Sequence, residues 1–199
     1  MIDVAQITAL HRNMVQMWHA QEPFNPCRDL LYVICEQHKY NFLLWHEEDI
    51  ARSPEVGDSR IAAVKRAIDR LNQQRNDATE RIDDHLKRAV EVRGVVIQGD
   101  ARWNSETPGS VIDRLSILAL RIYHMEEQAE RQDAGADHIE RSRQKLSILQ
   151  TQHEDLATAL GELLADIFAG RKRLKVYRQF KMYNDPALNP HLYAPRKAG

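Results

Sequence analysis

Apolar residues recur at steps of three and four from Ile61 onward: Val64, Ile68, Leu71, Ala78, Ile82 and Ala89 follow it, with Arg75 and His85 in the same register. That spacing marks one face of an α-helix. The run contains neither Pro nor Gly, and Asp58 or Ser59 stands ready as N-cap, so the pattern predicts one long bundle helix. A second seam, Val111, Leu115, Leu118, Ile122 and Met125, is flanked by Ile112, Ala119 and Tyr123 on one side and by Ile117 and Leu120 on the other. Only a thin strip is left for water, which predicts the most buried helix of the chain. Thr107 is its natural cap, and Pro108 at the first helical position forfeits no hydrogen bond there.

The remaining elements follow from similar signals. Ile139, Leu146, Leu149, Leu156, Leu160, Leu163 and Ile167 predict another long helix that Gly170 stops. A helix over Asp29 to Arg52 ends at Ser53, because the residue before Pro54 avoids the helical region. A shorter one over Asp3 to His19 precedes the turn "QEPFNPCRD". The two-glycine stretch "VRGVVIQGDARWNSE" reads as a loop with a short extended piece at Val95 to Ile97. After Gly170 a shorter basic helix is expected to about Met182, then an extended, proline-punctuated tail. The fold class is therefore all-α: a mostly antiparallel bundle of four long helices with short peripheral helices and an extended C-terminal tail. Residues 1–199 read as a single domain, with 28–182 as bundle core and 183–199 as tail. The long apolar seams suit a homodimer.

Composition narrows the class without naming a function. With 43% hydrophobic and 29% charged residues, the chain has no apolar run of membrane-spanning length and no signal-peptide pattern, so a cytoplasmic protein is expected. Cys27 and Cys35 match neither a zinc knuckle nor a disulfide framework and read as buried thiols. Charge is uneven. From Arg171 to Gly199 eight basic residues face one acidic residue, a charge of +7, which against the overall −1 leaves −8 on the first 170 residues. Leu174, Val176, Tyr177 and Phe180 interleave the basic residues, which favours packing against the chain's own acidic body over nucleic acid.

No phosphate-loop, dinucleotide, nucleophile-elbow or His-Glu-x-x-His motif occurs, and none of the nine histidines has Glu three residues before it, which removes the ferritin-like di-iron bundle. No cofactor or metal site is expected. What remains is a polar constellation at helical spacing. His38, Asn41, Trp45, Glu48 and Arg52 share a stripe, Asn72 and Asn76 lie beside the seam that holds Arg75, and Asp113 and Arg114 enter the most apolar helix. Charges seldom enter a core unpaired, because each costs several kcal/mol to desolvate. Arg75, Asp113 and Arg114 should therefore meet opposite charges, with Glu48 or Asp49 as candidates.

One reading is a structural ion-pair network that fixes helix register. The other is a pocket between helices in which Asn41, Trp45, Glu48, Asn72, Arg75, Asn76, Asp113 and Arg114 bind a small anionic metabolite, with Lys181, Tyr183 and Asn184 folding over it and the helix start at Pro108 and Gly109 adding N–H donors. A third uses "HEED" and "ERIDD", which resemble the carboxylate helices of all-α nucleoside triphosphate pyrophosphohydrolases. It requires Glu47, Glu48, Glu80 and Asp83 to converge on one Mg²⁺. An interaction scaffold without a ligand completes the alternatives.

Taken together, "NFLLWHEEDIAR", "IAAVKRAIDRLNQQRNDATERID", "SETPGSVIDRLSILALRIYHM" and "KMYNDPALNPHLY" resemble a bacterial family of helical proteins known only as domain of unknown function 4254. The resemblance spans Asn41 to Tyr193 and implies no assigned activity. It implies a setting near cell-envelope polysaccharide synthesis, and hence a nucleotide sugar or sugar phosphate as the class of ligand. It assigns no role to any residue.

Overall fold

Capping and periodicity set the element boundaries in the computed structural model, which describes residues 3–180, 182 and 185–193. Helix α1 spans Val4–Ala20 and opens with the Asp3 carboxylate accepting from the Ala5 amide at 2.9 Å. Helix α2 spans Asp29–Arg52 and ends at Ser53, just ahead of Pro54. Helix α3 spans Asp58–Val92, with Gly57 rather than Asp58 or Ser59 at the cap position. Helix α4, Pro108–Glu130, begins as its sequence predicts: the Thr107 hydroxyl accepts from the Ser110 amide at 3.2 Å. Helix α5 covers Ala136–Phe168.

Residues 53–57 and 131–135 are too short to do anything but fold the chain back on itself. They make α2 with α3, and α4 with α5, two antiparallel helical hairpins that account for most of the interhelical packing. Helix α1 packs on α4 and touches α2 and α5. One core joins all five helices, with Ile7, Ile34, Ile82, Leu86, Ile112, Leu115 and Leu160 fully buried. A second cluster sets Met14, Val15 and Trp18 of α1 against Cys35, Phe42 and Leu120. Cys35 is buried and reduced, its thiol pushed up by desolvation. Helix α4 contributes the most buried residues of any helix, as its apolar surround predicts. No described helix is long and apolar enough to cross a membrane.

Two expectations for the segments outside the helices are corrected. The expected basic helix after Gly170 is absent. Gly170 adopts φ +73, and a Cβ there would stand 2.1 Å from the Val96 carbonyl oxygen, so the chain reverses on the one residue type that fits. It then runs extended as β2, Lys172–Arg173, and has no regular structure through Phe180. The extended piece expected at Val95 to Ile97 lies later, at β1, Arg102–Trp103, which pairs in parallel with β2 through Arg102 with Lys172 and Trp103 with Arg173. Pairing between distant segments has overridden local helix propensity. Beyond this, residues 185–193 contain a turn and the short helix α6, Pro190–Tyr193. Arg178 lies across α3, bonded to Glu80 at 3.0 Å and to Asp84 at 2.9 Å, so this part of the basic segment packs on the acidic body of its own chain.

Candidate functional site

Asp113, one and a half turns into α4, accepts from the amide groups of Gln37 and, at 2.9 Å, Asn41, both on α2. Arg75 Nε of α3 approaches the same carboxylate oxygen to 3.9 Å, while its guanidinium donates to Asn76 Oδ1 at 3.2 Å. Asn41 spends its second N–H on Ser116 Oγ at 2.9 Å. Ser116 Oγ is 2.7 Å from His38 Nδ1, and His38 Nε2 is 3.0 Å from the backbone carbonyl of His11 in α1. A carbonyl only accepts, so the proton of His38 sits on Nε2 and the serine hydroxyl donates to Nδ1. From Asn41 the bonds run one way through Ser116 and His38 to the His11 carbonyl, and Asp113 with Arg75 extends the network to a fourth helix. Such a network, with each donor matched to an acceptor, fixes the rotation and height of the helices it joins.

Of the residues singled out from sequence as binding candidates, Asn41, Arg75, Asn76 and Asp113 meet here. The others do not. Glu48 pairs with Arg52 on the surface at 3.0 Å, and Arg114 with Glu106 of the preceding loop at 2.8 Å, so the counter-charge of the half-buried Asp113 carboxylate is Arg75 and neither Glu48 nor Asp49 serves. Asn72 is half-buried beside the network with no hydrogen bond, and Trp45 packs elsewhere, stacked on His124 at 4.7 Å. Lys181, Tyr183 and Asn184 lie outside the described residues. His38, on the stripe of Asn41, joins the network too, and Gln37 and Ser116, not evident from sequence, complete it. Nothing local reveals that α4 offers a serine opposite His38 and Asn41.

The start of α4 is not free to bind an anion, because the chain fills it. Asp83 of α3, itself buried, accepts from the Gly109 amide at 2.7 Å, and Pro108 and Gly109 are both buried. Burial lifts this carboxyl to about 6 against the pull of the Thr107 hydroxyl and the Gly109 amide, with Asp84 and Glu80 adding to the rise. Glu80 is held by Arg178. Glu47, Glu48, Glu80 and Asp83 therefore form no common cation cage among the described residues.

An open groove lies further along α4, toward its C-terminal end. About 540 Å³ in volume, it is framed by Trp45 and Asp49 of α2, Arg121, His124 and Met125 of α4, and Lys145, Ile148 and Leu149 of α5. A further hollow of about 650 Å³ continues it past Arg114, Ile117 and Leu118, sharing Arg121 and Gln152 with it. The size suits a metabolite. At its inner edge His124 belongs to a group of three histidines with His19 and His46. Burial, with His19 and His124 adding, pushes the His46 imidazole down. Their spacing in sequence shows no ligand motif, since each comes from a different helix.

Fold and site together define an all-α bundle of two helical hairpins, pinned by an internal polar network and carrying an open groove. Within that class the chain belongs to the family described as "Protein of unknown function (DUF4254)", whose match runs over residues 31–176 and takes in the side chains of the network, the groove and the β1–β2 pairing. No curated protein and no solved structure matches the chain.

Proposed function

We propose that this chain is a binding module for a small anionic metabolite of the nucleotide-sugar or sugar-phosphate class, and that the ligand occupies the groove between α2, α4 and α5. The observation that supports the reading is the pair Arg121 and Lys145. Both cations line the groove, and neither has an ion-pair or hydrogen-bond partner among the described residues. Arginine offers a phosphate two parallel N–H donors, and lysine adds a point charge. Trp45 supplies a flat apolar surface for a ring, and Ile148, 58% exposed, and Leu149 form an apolar floor. In this reading Asn41, Arg75, Asn76 and Asp113 are the frame and not the contacts. Asn41 lies one turn before Trp45 on α2, so a network that locks its rotation also aims the tryptophan.

A thermal-melt screen of the full chain against nucleotides, nucleotide sugars and sugar phosphates, with and without Mg²⁺, tests this. A ligand at a hundred times its dissociation constant stabilises the fold by about 2.7 kcal/mol, which moves Tm by several degrees. The shift should occur without Mg²⁺ and vanish in the Arg121→Ala/Lys145→Ala double variant, whose unliganded Tm stays near wild type because both side chains are exposed. Asp113→Asn should behave oppositely, lowering the unliganded Tm while keeping the shift. A silent panel, or a shift that survives loss of both cations, would sink the reading. Light scattering on the same samples shows whether a second copy of the chain already covers the groove.

A further inference from the structure

Three imidazoles from three helices meet at one end of the bundle. His19 lies in the last turn of α1, His46 in α2 and His124 in α4. One ring nitrogen of each lies within 4.8 Å of those of the other two. Ring centroids are 5.2 Å apart for His19 and His46, 5.1 Å for His19 and His124, and 6.1 Å for His46 and His124, with each pair steeply inclined. The rings therefore converge edge-on and do not stack.

In two of the three, one ring nitrogen is already engaged. His19 Nδ1 is 2.7 Å from the Val15 carbonyl oxygen, and His124 Nδ1 is 2.7 Å from a Glu127 carboxylate oxygen. Those oxygens only accept, so each Nδ1 carries a proton, and in the neutral ring Nε2 bears the lone pair. Both Nε2 atoms are buried and have no hydrogen-bond partner among the described residues. An unmet buried acceptor is costly, and this group of three imidazoles holds two of them. Water is a poor remedy, since one molecule has two hydrogens to give to three rings. A cation with vacant orbitals serves all three.

We propose that His19, His46 and His124 bind one divalent transition-metal ion of the zinc class, with the fourth position left to water or to an oxygen of an anionic ligand. Three imidazoles suit ions of that class and are poor ligands for Mg²⁺ or Ca²⁺. The engaged Nδ1 atoms supply what metal-binding histidines ordinarily have, a carbonyl or carboxylate that fixes tautomer and ring orientation. The surround is apolar: Phe42 packs edge-on to His19 and His46, Tyr123 stacks on His19 at 4.2 Å, and Trp45 stacks on His124. Zinc–nitrogen bonds of about 2.1 Å in a tetrahedron place the nitrogens roughly 3.4 Å apart, so the rings close by about an ångström on binding. The inference rests on the imidazoles alone and holds whether or not the groove takes a metabolite.

The experiment titrates chelator-treated full-length chain with Co²⁺, followed by visible absorption, and then displaces it with Zn²⁺. The expected result is one equivalent per chain with the intense bands of a tetrahedral ion, displaced by Zn²⁺ and untouched by excess Mg²⁺. His46→Ala and His124→Ala should each weaken binding by at least about 100-fold, beyond the upper end of what losing an outer partner costs. Glu127→Gln retains all three ligands at an exposed position and should cost about 10–100-fold, which keeps the test decisive if an alanine variant fails to fold. His85→Ala on α3 should change nothing. Absence of saturable binding, the faint spectrum of an octahedral ion, or an affinity indifferent to these variants would overturn the proposal.

Discussion

Gly109→Ala is expected to destabilise the protein by about 3 kcal/mol, although alanine is the better helix former by about 1 kcal/mol. The opposing effect wins because a Cβ at this position meets the Thr79 carbonyl oxygen at 2.6 Å and the Asp83 Cγ and Oδ1 at 2.9 Å. The nearest of these is backbone and has no rotamer to escape into. Helix α4 must therefore withdraw from α3, and the bond from the Gly109 amide to the buried Asp83 carboxylate stretches as it goes. Overpacking costs about 1–3 kcal/mol, and weakening a charge-assisted bond about 1.5–3 more. Gly161→Ala in α5 is the matched comparison. Nothing lies within 4 Å of a Cβ there, so the propensity gain should appear undiminished. Urea denaturation of both variants decides the matter, and a Gly109→Ala change below about 0.5 kcal/mol, the size of an ordinary surface substitution, would show that the two helices adjust freely.

Acid should unfold this protein through two buried imidazoles. His38 is fully buried and its pKa is driven down to about 3, with the backbone bond to His11 pulling weakly the other way, and burial drives His11 well below its ordinary value with His38 and His153 adding. A histidine with a depressed folded pKa binds fewer protons folded than unfolded. Its stabilising contribution is full above about 6.5 and is lost as pH falls toward the folded value. By pH 4 the loss for His38 alone is on the order of 3 kcal/mol. Asp83 works against this: its folded pKa, raised to about 6, makes the fold gain stability as pH falls from 6 to about 4. Two imidazoles outweigh one carboxylate, so Tm should fall on acidification from pH 7 to 4. His38→Gln, which can still bond Ser116 and the His11 carbonyl, should flatten that slope even if it lowers Tm at pH 7. Asp83→Asn should steepen it. An unchanged slope in the His38 variant would assign the acid sensitivity to other groups.

The helices were legible because their signals are local. Thr107 with Pro108, Ser53 before Pro54, and Gly170 each mark an end through the backbone conformation of one or two residues. Part of the polar network was legible for a similar reason, since a charge such as Asp113 in an apolar surround must have a partner nearby. The identity of that partner was not. Whether α4 turns Asp113 toward Arg75 or toward Glu48 depends on the relative rotation of helices that are far apart in sequence, and the periodicity of one helix says nothing about another. The three histidines escaped notice on the same grounds: no spacing within one helix brings His19, His46 and His124 together. The segment after Gly170 misled because its propensity favours helix, while the pairing of Lys172 with Arg102 exists only once the bundle has formed.

That pairing has a consequence for the order of assembly. The two hairpins form between helices adjacent in sequence, so their contacts close short loops and come early, whereas β1 and β2 are united only after α4 and α5 lie between them. A contact made after the rate-limiting step leaves the speed of folding untouched and bears wholly on the speed of unfolding. The two-residue ladder, with the Gln98 amide bonded to the Gly170 carbonyl at 2.9 Å beside it, is thus expected to act as a brake on disassembly, setting how long the native state lasts rather than how quickly it is reached.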